Sequence, residues 1–175
     1  MSTPTQNKSD RVLAIDPGYD RLGYAVLEKI KGKESIVVSG CITTDRKASA
    51  AERLKGIGDG IRRVIEDTSP SALSIEKLFF NQNVTTALRV AEARGVVLYE
   101  AARASLSIHE YSPQDVKIAV TGYGKAAKND VERMIEKLIV LPTLPKGTKR
   151  LDDELDAVAL GITHLVTRHY ITKTK

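Results

Sequence analysis

The chain has one cysteine, Cys41, no tryptophan and two phenylalanines in 175 residues. A single thiol excludes an internal disulfide framework and a zinc site built from cysteines. It suits a reducing, cytoplasmic setting. With aromatics at 5% of the chain, an extended base-stacking platform is excluded as well. No apolar run approaches the ~20 residues needed to cross a bilayer, so no membrane partner is expected. The opening MSTPTQNKSD has no apolar stretch and carries no secretory signal. Residues 1–10 are expected to be a disordered leader and residues 171–175 a frayed tail. Acidic residues are the minority charge, 22 against 27 Lys and Arg, and the pI is near 9.3. That balance favours a polyanionic partner.

The length suits one domain with one core, expected over residues 11–170. Arg11–Asp16 (RVLAID) is an apolar run stopped by Pro17-Gly18, which reads as a strand and a turn. Leu22–Leu27 and Ser35–Ile42 are two more strands, joined by the polar turn Lys31-Gly32-Lys33. Such short connections predict an antiparallel meander. Apolar residues at helical spacing predict helices over Ala48–Asp67, Asn83–Ala104, Lys125–Ile139 and Asp152–Tyr170. Pro113 opens a shorter helix through Val120. Ala72–Lys77 and Ser107–Tyr111 read as strands four and five. Three strands followed by alternating helix and strand predict an α/β fold: a mixed five-stranded sheet with helices packed around it.

Four acidic positions stand out. Asp16 ends the first strand, where sites form in open sheets. Glu76 lies in the fourth, apolar strand, and carboxylates are rarely buried unless paired or on a metal. Asp153 and Asp156 are three apart at the start of the last helix and share a face. Asp152 and Asp156 do so too, at i and i+4, and spacing does not choose between Asp152 and Asp153. Clustered carboxylates repel, and divalent cations offset that cost. An all-oxygen set suits magnesium or manganese, and two ions ~3.5–4 Å apart can align a water for phosphodiester hydrolysis. Each acid also has a plain structural role open to it. Asp16 before Pro-Gly can initiate a turn, Glu76 can pair with a buried arginine, and Asp152, Asp153 and Glu154 can cap the helix and balance its dipole.

The blocks AIDPGYDRLGYAV (14–26), SIEKLFFNQN (74–83), ALRVAEARGVVL (87–98), EYSPQDVKIAVTGYGKAAK (110–128) and DDELDAVALGITH (152–164) carry a resemblance. From about Arg11 to His169 the chain resembles the RuvC-type Holliday junction resolvases, a branch of the ribonuclease H-like nucleases. The resemblance implies a three-strand antiparallel meander plus two parallel strands, with helices on both faces. The family's four metal-binding carboxylates fall on Asp16, Glu76, Asp153 and Asp156, with Asp156-Ala-Val-Ala setting the register that prefers Asp153. Its aromatic near the junction centre falls on Phe79. Its basic residues near the scissile phosphate fall on Lys117 and Lys128. A homodimer formed through the helix 83–104 and a branch-migration helicase partner are further implications. The polar leader and the PTLPKGTKR stretch depart from the family pattern.

The residues themselves bear on DNA contact. Phe79 and Phe80 are adjacent, so in a strand-like segment they point to opposite sides, one to the core and one free to stack on a base. Lys125 and Lys128 flank a helix start behind Gly122-Tyr123-Gly124, a loop that can lay lysines and N–H groups on phosphates. Lys146, Lys149 and Arg150 form a second basic cluster just before Asp153. The functional expectation is magnesium-dependent cutting of four-way junction DNA, with two ions per subunit and manganese as a substitute. A related substrate such as ribosomal RNA precursors or flap DNA, a non-catalytic binding module, and an actin-like phosphotransferase are the competing expectations.

Overall fold

A computed structural model of the chain describes residues 11–78, 84–145 and 147–171, and the side chains of 84–86 and 169–171 stand outside that description. The expected leader, Phe79, Phe80 and Lys146 lie outside the described residues, as does the expected tail beyond Ile171.

In chain order the elements are β1 (Arg11–Asp16), β2 (Arg21–Ile30), β3 (Lys33–Thr43), α1 (Ala50–Thr68), β4 (Ala72–Glu76), α2 (Val84–Arg103), β5 (Ser107–Tyr111), α3 (Pro113–Thr121), α4 (Lys128–Leu138) and α5 (Asp152–Ile171). The five strands form one sheet in the order β3-β2-β1-β4-β5. The β1–β2 and β2–β3 pairs are antiparallel, and β1–β4 and β4–β5 are parallel. The two-residue turn between β2 and β3 places Lys31 at φ 51° and Gly32 at φ 83°, the left-handed pair that suits tight hairpins.

Strand β1 is central and buried on both faces, which is why its sequence is a continuous apolar run. Its side chains alternate. Val12 packs into a core with Ala157, Val158, Ile162 and Leu165 of α5, plus Val131 and Ile135 of α4. Leu13 and Ile15 pack into the opposite core with Ile57 and Ile61 of α1 and Ala93 and Val97 of α2. Helices therefore cover both faces of the sheet.

Helix boundaries follow local chemistry. A capping box of Ser49 and Glu52 starts α1, two residues after the sequence-based start. A second box, Ser112 with Asp115, opens α3 behind Pro113, and Gly122 at φ 76° closes it. Helix α4 begins at Lys128 rather than at Lys125. Ala126 is spent as a core residue, its N–H bonding the Tyr123 carbonyl at 3.1 Å, so the chain turns once more before the helix starts.

Helix α5 lies unusually close to the sheet. A Cβ on Gly161 would come within 2.3 Å of the Leu27 side chain, and one on Gly23 would meet the Asp153 carbonyl oxygen at 1.8 Å. The Ser74 hydroxyl, buried, donates to the Leu160 carbonyl at 2.9 Å and ties β4 to the same helix.

Candidate active site

In the parallel β1–β4 pair, Ile15 stands opposite Ile75, so Asp16 and Glu76 follow at the same end of neighbouring strands. Asp16 is also the register partner of Gly23 in β2. Because Gly23 has no side chain, the first turn of α5 seats directly on that strand end and delivers Asp153 and Asp156 to it.

Electrostatics report the convergence. Burial, then the charges of Asp156, Glu76 and Asp153, push the Asp16 carboxyl up to about 7, with Lys128 pulling the other way. Burial and Asp156 raise Glu76. Burial raises Asp156 as well, against the pull of Lys128. Asp16 therefore feels three other carboxylates, brought to it from β4 and α5, in a poorly solvated place.

Cations of the chain hold two of them. Arg21 ion-pairs with Asp153. The Lys128 ammonium sits 3.3 Å from both Asp152 and Asp156. Among the described residues, no three acidic, histidine or cysteine side chains stand close enough together to hold an ion as they are placed. The donor chemistry nonetheless fits a hard divalent cation: the ligand atoms are all oxygen, and Asp16 shows the charge excess that such an ion would offset.

The plain alternatives separate along the same lines. An arginine does stand near Glu76, the half-buried Arg94, but its ion pair goes to Glu110, and only the main-chain oxygen of Glu76 accepts from it, at 3.4 Å. Asp152 is 63% exposed and Asp153 24%. Glu154 is buried and structural, bonded by the Ser39 hydroxyl at 2.6 Å and by Arg150.

A cavity of about 230 Å³ opens beside the acids, lined by Glu76, Asp156, Lys117 and Lys128 among others. Lys117 and Lys128 therefore face the same space as the carboxylates. Lys125 and Lys149 are exposed, and neither lines that cavity. Arg150 turns inward to Glu154 and the Pro142 carbonyl, so its charge is engaged within the chain. Phe79 falls outside the described residues. Sequence reasoning missed Arg21 and Gly23. The only available signal was that both lie on the strand that turns back from Asp16.

The family model described as Crossover junction endodeoxyribonuclease RuvC matches residues 12–164. The chain belongs to the RuvC family. A RuvC from Halothermothrix orenii is 42% identical over 87% of this chain and 90% of its own length, and one from Thermosipho melanesiensis is 43% identical over 86% and 94%. Among solved structures, the Thermus thermophilus RuvC in complex with a Holliday junction substrate superposes with a TM-score of 0.83 at 31% identity, covering 93% of this chain and 96% of that one. The sheet order and two-sided helical cover described above are thus those of a RuvC-type, ribonuclease H-like fold. Among the described residues no helix is long and apolar enough to cross a membrane.

Proposed function

We propose that the chain is a Holliday junction resolvase that cuts four-way DNA junctions by magnesium-dependent phosphodiester hydrolysis. The observation that carries this reading is the convergence of Asp16 and Glu76, at one end of the parallel strand pair, with the first turn of α5, whose Asp153 main chain rests on Gly23 opposite Asp16. These four would hold magnesium, two ions per subunit, with manganese able to substitute. When bound, such ions activate a water and offset charge on the phosphate being cleaved. Lys117 and Lys128, on the wall of the adjoining cavity, hold the phosphate that is cut. Lys125 and Lys149, both exposed, contact the DNA backbone further out, and Phe79 stacks at the junction centre. The products are a 5′-phosphate and a 3′-hydroxyl.

Junction DNA has twofold symmetry, and a C₂ homodimer would present one such site to each of two opposing strands. Leu88 and Tyr99, exposed on α2, support that helix as the dimer face. A branch-migration helicase complex is the proposed further partner, in the cytoplasm. The test is cleavage of a mobile synthetic four-way junction with magnesium present and absent, with duplex, flap DNA and structured RNA in competition. Metal-dependent, symmetric cutting of the junction is expected. Preference for a competitor, or no cutting at all, overturns the reading.

A further inference from the structure

A second groove, of about 530 Å³, is lined by Asp153 and lies between the β1–β2 turn, the end of β3 and α2. Arg21, Arg46 and Arg89 line it together with Asp20 and Asp153. Its two carboxylates are already taken. Asp153 pairs with Arg21, and Asp20 pairs with both Arg46, at 2.8 Å, and the buried Arg53. Four arginines thus surround two acids, and the surplus positive charge faces open space. Arg46 is 79% exposed.

The floor of this groove is rigid. Arg53 donates to the Thr44 hydroxyl at 2.9 Å and to the Tyr19 carbonyl at 3.3 Å, and its guanidinium lies 4.1 Å from the Tyr19 ring centroid. The Thr44 hydroxyl in turn donates to the Tyr19 carbonyl at 2.9 Å. Arg89 reaches over from α2 to 5.7 Å from the same ring. The turn carrying Tyr19 and Asp20 is tight: a Cβ on Gly18 would meet the Arg21 carbonyl oxygen at 1.9 Å. A fixed turn, a net positive lining and exposed arginines are what a phosphodiester needs in order to dock without reorganisation.

We infer that this groove is a second DNA-backbone track, in which Arg46 and Arg89 bind phosphates flanking the one that is cut, while Arg21 links the track to Asp153. The inference rests on the junction-resolvase reading and extends it from Lys117 and Lys128 to the groove that Asp153 lines.

The test measures binding of a synthetic four-way junction across a range of salt, on an Asp16→Asn parent chain expected not to cut. Each neutralised phosphate contributes about −0.9 to the slope of log affinity against log salt. The double substitution Arg46→Gln with Arg89→Gln is expected to weaken binding roughly tenfold and to flatten that slope by about two. Arg46→Lys with Arg89→Lys is expected to restore the slope, and Arg63→Gln, on an exposed part of α1 away from the groove, to leave it unchanged. Thermal melts confirm that each variant is folded. A flattening smaller than about one, or an equal effect from Arg63→Gln, overturns the groove while the parent's binding and the wild-type chain's cutting keep the resolvase reading intact. If the parent does not bind the junction and the wild-type chain does not cut it, both readings fall.

Discussion

The two ends of α5 bury polar groups in opposite ways. Near its C-terminal half, every such group among the described residues is satisfied. The His164 ring is buried with Nδ1 3.0 Å from the Tyr111 hydroxyl, the Thr167 hydroxyl bonds the same oxygen at 3.2 Å, and His109 packs on the ring at 4.6 Å between centroids. Burial, with help from His109 and Arg168, lowers the His164 pKa to about 4, so the ring is neutral and comfortable at neutral pH. At the N-terminal end the acids stay crowded even though Arg21 and Lys128 pair with Asp153 and Asp156, and Asp16 is pushed up to about 7. One helix thus contains a settled polar network and an unsettled one. The unsettled end faces a cavity, as expected where strain is kept for chemistry.

The largest expected effect breaks the acidic end. Asp16→Asn should reduce junction nicking by at least about 10³-fold, measured with magnesium at pH 8. Lys128→Gln comes next: it removes the cation beside Asp152 and Asp156, and cleavage should fall about 10²-fold through loss of phosphate stabilisation. A wild-type rate in either variant would remove that residue from the site.

Stability should move the other way at this end. A carboxylate whose folded pKa is raised stabilises the fold below its unfolded pKa, and that contribution is lost as pH rises through the folded value, here about 7. Metal-free Asp16→Asn should therefore melt higher than the wild-type chain at pH 8, by roughly 3–8 °C, and the gain should vanish near pH 4. Magnesium should raise the wild-type melting temperature at pH 8, raise it less at pH 6 where Asp16 is protonated, and leave the variant nearly unmoved. A variant that melts lower than wild type at pH 8 would show that Asp16 is a structural acid.

The smallest effect belongs to the settled end. His164→Phe should cost about 1–2 kcal/mol and leave cleavage unchanged. A histidine whose folded pKa is depressed contributes stability above its unfolded value, near 6.5, and that contribution is lost as pH falls towards about 4. Wild-type melts should thus decline across that window more steeply than those of His164→Phe. If the variant abolished cutting, the division between the two ends would not hold.

The same division marks what could be read in advance. β5 appeared in the sequence with its observed bounds, Ser107–Tyr111, because five residues between turn signals leave little choice. Asp16 and Glu76 were legible as acids at the ends of apolar runs, although turn initiation before Pro17-Gly18 was an equally local reading of Asp16. α4 started three residues late because Ala126 was needed in the core, a tertiary demand with no local signature. The choice of Asp153 over Asp152 needed the family register, since both spacings put the pair on one helix face. The Arg21–Asp153 pair spans 132 positions and depends on β2 lying beneath α5, which helical or strand periodicity does not encode.

Gly23 carries a consequence for tolerance to change. With the Asp153 main chain resting on it, the separation between the strand acids and the helix acids is gauged by two backbones in contact, not by packed side chains. Surface pairs around the centre can be exchanged without altering that gauge. A single methyl group at position 23 would act as a shim under the helix, lifting two acids from the other two while leaving each of the four in place in the chain.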